Sequence, residues 1–254
     1  MIARLQTRGL SVGWPGRPPL LSALDLDLAP GERVGLVGPN GAGKSSLFLT
    51  IAGVLPSAAG RVEIDGRAVR PGVFDASVGL VFQRAEDQLF CPTLAEDVAF
   101  GPRNLGLTGP ALDARVAEAL AACGLSAQAD RPVHQLSGGE QRRACIAGVL
   151  AMRPGLMMLD EPSAGLDLRS RRRLIGLLAG MAQTLILASH DLEMVLELCP
   201  RVILIDAGRL CADGPARRIL GDAALMAAHG QEVPASLSAG TSPLPTAAPA
   251  GGHP

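Results

Sequence analysis

The sequence predicts an α/β fold: a mostly parallel sheet flanked by helices, an antiparallel β region ahead of it and an α-helical insert in its middle. Three observations carry this. Short apolar runs at 33–37, 78–82, 156–159, 184–188 and 201–205 recur with helix-length stretches between the later ones, the alternation that builds a parallel sheet. A glycine-rich turn, Gly38-Pro39-Asn40-Gly41-Ala42-Gly43, joins the first run to a helical pattern over 45–52. From about 86 to 152 the pattern becomes largely helical, and 112–123 is strongly alanine-rich, a composition that favours helix.

The other elements follow in order. Residues 1–30 carry alternating and apolar patches broken by Pro15, Pro18 and Pro19, which suits antiparallel edge strands. A short hairpin is expected at 61–67, and the strand at 78–82 ends at Gln83. Past the helical insert, a helix begins near Leu168, ends near Met181 and leads into the strand at 184–188. Another helix starts from Asp191. Residues 231–254 are rich in Pro, Ala, Ser and Gly with Glu232 as the sole charged side chain, so they read as a disordered tail. The expected layout is one domain over 1–230, with the helical subdomain at about 86–152, then that tail.

Composition sets the class. A chain of 254 residues buries a substantial core. Its net charge of −1 gives no electrostatic reason to expect nucleic acid as a partner. Five cysteines without C-x-x-C spacing read as small buried hydrophobes in a reducing compartment. No secretory leader is expected, and the apolar stretch 174–188 is shorter than the roughly 20 residues a bilayer span needs. His229 and His253 are isolated and read as surface histidines; His134, beside a glycine turn, reads as local structure.

The chemistry is concentrated in a few motifs. Lys44 is the chain's one lysine among 23 basic residues, and it lies in the run G-x-x-x-x-G-K-S that Ser45 ends. A compact ammonium fits between phosphate oxygens where a planar guanidinium does not. The glycines let bare amides at a helix start face an anion. In this motif Lys44 reaches the β- and γ-phosphates and Ser45 places its hydroxyl on Mg²⁺. The run 156–159 ends in Asp160 and Glu161. Ligands bind at strand ends in such sheets, so Asp160 can join the Mg²⁺ shell and Glu161 can polarise an attacking water. The strand at 184–188 ends at Ser189-His190-Asp191, and His190 can hold that water in line. Leu136-Ser137-Gly138-Gly139-Glu140-Gln141 makes a second helix start with bare amides, capped by Ser137.

Taken together, these residues resemble the ATP-binding subunits of ABC (ATP-binding cassette) transporters over about 1–220. Trp14 matches the aromatic adenine-stacking position, where the family usually has tyrosine. Gly38 to Ser46 match Walker A, Gln83 the Q-loop, Leu136 to Gln141 the signature and Leu156 to Glu161 Walker B. Ser163-Ala164-Gly165-Leu166-Asp167 matches the D-loop, and His190 the switch histidine. The resemblance implies a P-loop ATPase core and a head-to-tail homodimer. ATP would be bound by Trp14, Asn40, Gly41, Ala42, Gly43, Lys44, Ser45 and Ser46 of one subunit and by Ser137, Gly138, Gly139 and Gln141 of the other. It implies Glu161, His190 and Gln83 as catalytic residues, and Ser45, Gln83 and Asp160 as Mg²⁺ ligands.

The stretches 81–90 and 93–104 resemble the ATPases of energy-coupling factor importers, the cobalt-uptake group in particular. That resemblance implies a transmembrane coupling protein and a substrate-capturing membrane subunit as partners. It places the protein peripherally on the cytoplasmic face of the membrane, driving uptake of cobalt or nickel. Two other readings stand beside it: the ATPase of a vitamin importer of the same type, and a soluble ABC assembly ATPase without a transport role.

Overall fold

A computed structural model of the chain describes residues 2–238. Its strands in chain order are β1 (Leu5–Val12), β2 (Leu21–Leu28), β3 (Arg33–Val37), β4 (Ala59–Ile64), β5 (Arg67–Ala68), β6 (Val78–Val81), β7 (Leu156–Asp160), β8 (Thr184–Ala188), β9 (Arg201–Asp206) and β10 (Arg209–Pro215). Its helices are α1 (Lys44–Ile51), α2 (Leu94–Asn104), α3 (Gly109–Ala122), α4 (Gly138–Ala151), α5 (Leu168–Ala179), α6 (Leu192–Leu198), α7 (Ala216–Leu220), α8 (Ala223–Ala228) and α9 (Ala235–Ser238).

Two sheets form. The antiparallel one has the order β2-β1-β4-β5; the larger one runs β10-β9-β3-β8-β7-β6 and is parallel except for the β10–β9 pair. Both sheets and the helical insert match the expected fold class. All five residues of β7 and of β8 are buried, which is why their sequences are continuously apolar rather than alternating. The period of two still sorts them. Met157, Leu159, Leu185 and Leu187 join the core shared with α2, α3 and α4, whereas Leu156, Met158, Ile186 and Ala188 join the core that holds Phe48 of α1 and the antiparallel sheet. Fully burying each of the Leu, Ile and Met side chains among them contributes about 1.5–3 kcal/mol.

Register then decides where function can sit. Leu36 pairs with Ala188, and Ala188 pairs with Asp160. The carboxyl ends of β3, β7 and β8 are therefore level, and the segments beginning at Gly38, Glu161 and Ser189 leave the sheet along one edge.

Two differences from the expected layout are local. Residues 231–238, read from composition as the start of a tail, pack onto the body. Pro234 is buried, Val233 and Leu237 lie against the main core, and Ser236 donates from its amide and hydroxyl to Glu193 at 2.9 and 2.7 Å. Three apolar side chains and one well-placed carboxylate suffice to hold a polar-looking segment. The remainder of that expected tail, with His253, lies outside the described residues. His229 is no free surface group either: its Nδ1 lies 2.8 Å from Asp206 Oδ2. Among the described residues no helix is long and apolar enough to cross a membrane.

Candidate active site

The turn after β3 is shaped by its glycines. A Cβ at Gly38 would fall 2.1 Å from the carbonyl oxygen of Ile205, and Gly43 holds φ +98° at the start of α1. No side chain caps α1, so its first amides remain available to an anion at the positive end of the helix. Lys44 is 7% exposed, and its Nζ donates to the carbonyls of Gly38 and Pro39 at 2.7 and 3.1 Å. Burial pulls the Lys44 pKa below the usual lysine range, opposed by the nearby Glu161 and Asp160 carboxylates.

Asp160 ends β7 and is buried. Its Oδ2 accepts a 2.5 Å hydrogen bond from Ser45 Oγ. Burial raises the Asp160 pKa, and the Ser45 hydroxyl and Lys44 ammonium offset part of that rise. Glu161 takes a left-handed backbone, φ +46°, while its amide still donates to Ala188 at 2.8 Å. A non-glycine residue in that region is strained by about 1–3 kcal/mol, a cost typically found at functional sites. The turn folds the carboxylate inward: Glu161 is 9% exposed, and Oε2 accepts from the His190 amide at 3.1 Å and from Ser189 Oγ at 3.4 Å. Its other oxygen, Oε1, is buried without a hydrogen-bond partner, 3.5 Å from His190 Nε2. His190 Nε2 lies 2.8 Å from Asn40 Oδ1 and 3.4 Å from Lys44 Nζ.

These groups surround one cavity of about 370 Å³, lined by Leu20, Asn40, Gly41, Ala42, Gly43, Lys44, Ser45, Ser46, Gln83, Asp160 and Glu161. Ten of these eleven lining residues were expected from the sequence, and His190 joins them through Asn40. Two expected groups are not brought to the cavity within one chain. Trp14 is 49% exposed and absent from the lining, so it is not a packed core aromatic. Ser137 and Gly138 are exposed at the tip of α4, where the Ser137 hydroxyl and the Glu140 carboxylate cap each other's amides in a reciprocal box. Gly139 packs on Ser170, and Gln141 Nε2 donates to the Val133 carbonyl at 3.4 Å.

Three contributors escape sequence reasoning. Arg142 is buried and donates to the Phe82 and Gln83 carbonyls at 2.7 and 2.5 Å, which fixes the backbone that carries Gln83. Nothing in its local sequence separates it from an exposed helical arginine. Ser189 bonds Glu161, and its position beside His190 was a usable signal. Leu20 comes from the Pro-rich approach to β2 and carried none.

A bare-amide cradle around a buried ammonium, set against paired carboxylates at level strand ends, is the chemistry of the P-loop nucleoside triphosphatases. Residues 21–164 match the ABC transporter family model. The chain is 45% identical over 238 residues to the cobalt import ATP-binding protein CbiO of Rhodobacter capsulatus, covering 91% of this chain and 85% of that protein. It is 44% identical over 230 residues to the energy-coupling factor transporter ATP-binding protein EcfA of Methanothermobacter thermautotrophicus, covering 87% and 74%. Among solved structures, CbiO1 of Clostridium perfringens, part of the ABC transporter complex CbiONQ, superposes with a TM-score of 0.77 at 31% identity, covering 88% of this chain and 93% of that one. The chain belongs to the ABC transporter ATP-binding family, on the energy-coupling factor and cobalt-transporter branch, and it is an ATPase.

Proposed function

We propose that this chain is the ATP-hydrolysing subunit of an energy-coupling factor importer for a transition-metal ion, cobalt or nickel. It works as a homodimer on the cytoplasmic face of the membrane. The observation that carries hydrolysis is the inward-folded Glu161, whose buried Oε1 has no hydrogen-bond partner and lies beside His190. That oxygen takes the proton of a water attacking the γ-phosphate, and His190 keeps water and carboxylate aligned. Lys44 and the α1 amides balance the charge on the leaving phosphate. Trp14 offers its exposed face to adenine. Ser137, Gly138, Gly139 and Gln141 of a second copy close the site from the other side.

The donor set also suits Mg²⁺. The Ser45 hydroxyl and the Asp160 carboxylate already converge, both are hard oxygen ligands, and the Gln83 amide lines the same cavity. An ion held by these groups would supply charge neutralisation to the nucleotide's phosphates.

The membrane partner is supported by a groove of about 350 Å³ between α2, α4 and the segment before β6, walled by Phe74, Phe90 and Phe100. Four of the chain's five phenylalanines are exposed, and the three that wall this groove are 66%, 64% and 44% exposed, a concentration of apolar surface that marks a protein contact. Glu86 and Asp87 are exposed in the turn beside it, suited to arginines of a coupling helix. One experiment tests the whole reading: cells carrying Glu161→Gln in place of the native chain are assayed for cobalt uptake, and the chain is captured from their membranes. The expected result is co-purification with integral membrane proteins and loss of uptake. Retained cobalt uptake with loss of nickel uptake leaves nickel as the cargo; both retained, with a vitamin's uptake lost, replaces the metal. A chain that captures no membrane protein overturns the transport reading.

A further inference from the structure

His190 belongs to the short link between β8 and α6, so its position depends on how α6 is anchored. The anchor is Asp191. Its Oδ1 caps α6 by accepting from the Met194 amide at 3.0 Å, and its own amide donates to Ser189 Oγ at 3.0 Å. Arg171 grips the same carboxylate with two prongs, Nε to Oδ2 at 2.5 Å and Nη2 to Oδ1 at 2.8 Å. Both side chains are little more than a fifth exposed. Planar two-pronged pairing fixes orientation as well as distance, and lysine cannot reproduce it. Burial pushes the Asp191 pKa up, but Arg171, the Met194 amide and Ser163, in the loop that leaves Glu161, together hold it below the ordinary value. Arg171 lies in the first turn of α5, the helix that this loop enters through its cap Asp167. One carboxylate therefore joins the segment carrying His190 to α5, the helix that follows the loop leaving Glu161.

We infer that Arg171 is a positioning residue for ATP hydrolysis, holding His190 in register with Glu161 through its two-pronged grip on Asp191. The inference rests on the proposed roles of Glu161 and His190. A second pair on the same two helices serves as an internal control: Arg172 Nη1 meets Glu197 Oε1 at 2.5 Å, but the two side chains are 67% and 44% exposed.

The test uses the full-length purified chain and measures kcat, KM and ATP affinity for the wild type, Arg171→Ala, Arg171→Lys, Arg172→Ala and Glu161→Gln. Arg171→Ala is expected to lower kcat about tenfold or more while KM and ATP affinity stay at wild-type values, since a small misplacement of a reacting group is costly to rate. Arg171→Lys should recover part of the loss, and Arg172→Ala should match wild type. An Arg171→Ala chain with wild-type kcat overturns the inference. So does an equal loss of kcat in Arg171→Ala and Arg172→Ala, which would mark general loosening of α5 and α6. If Arg171→Ala does not fold, Arg171→Lys decides: unchanged kcat overturns the inference, and reduced kcat at unchanged KM supports it. Glu161→Gln separates the two layers. Wild-type hydrolysis by that variant overturns the catalytic reading and this one with it, whereas an inactive Glu161→Gln beside a fully active Arg171→Ala sinks this inference alone.

Discussion

Lys44 shows how much one side chain can be asked to do. It is buried, its pKa is pulled down by that burial, and it spends two hydrogen bonds on carbonyls of its own loop. Those bonds hold the ammonium at the cradle ahead of the phosphates, so little ordering remains for binding. Lys44→Ala is expected to lower ATP affinity by about 2–3 kcal/mol, the worth of a charge-assisted contact in a partly buried site. Lys44→Arg should lose affinity as well, because a planar fork cannot sit between the Gly38 and Pro39 carbonyls. Titration of ATP into each variant checks this, and an arginine variant with wild-type affinity would show that charge alone suffices. Residues of this kind were legible because their chemistry is unusual where they stand: a single lysine, two acids closing an apolar strand, a histidine at the end of another. Arg142 and Arg171 were not legible, since an arginine on a helix reads the same whether it is solvated or buried against a carbonyl or carboxylate.

Elements were legible in proportion to their burial. β3, β7 and β8 are walled on both faces, so hydrophobicity alone marks them. β10 contains Asp213, Gly214 and Pro215 and exists because β9 offers a ladder to pair with, a tertiary effect that local propensity does not carry. α9 likewise depends on Glu193, a residue 43 positions away along the chain. α4 is the opposite case, because its start is written locally. Ser137 and Glu140 cap each other, and the Ser137 amide, then its hydroxyl, hold the Glu140 carboxyl below its ordinary value. A lowered carboxylate pKa means the box stabilises the fold above the unfolded-state value and is lost as pH falls through the folded one. Glu140→Ala is therefore expected to cost about 1 kcal/mol at neutral pH. That difference should vanish once pH falls well below the ordinary glutamate range. Urea unfolding at neutral and at acid pH measures both numbers; an undiminished difference at acid pH would assign the effect to something other than the charged box.

In the homodimer proposed above, a whole protomer carries half a site at each of two places. The cavity beside Lys44 is lined without any residue of the α4 tip, and Ser137 and Gly138 at that tip stand exposed. In the proposed homodimer, two copies arranged head to tail would supply each half with its complement, and a two-fold axis would make both composite sites identical. This arrangement can be separated from a self-sufficient protomer by mixing two inactive variants. Lys44→Ala damages the cradle. Gly138→Asp damages the tip without disturbing its own protomer, because a Cβ there meets nothing within 4 Å and an acid in the first turn suits the helix dipole; its carboxylate instead repels the phosphate arriving from the second copy. Each variant alone should be inactive at both sites. A mixed dimer concentrates both lesions in one site and leaves the other intact, so an equimolar mixture should regain about a quarter of the wild-type rate if the subunits exchange freely. If each protomer were complete in itself, Gly138→Asp would hydrolyse ATP unaided, and mixing would add nothing beyond the average of the two.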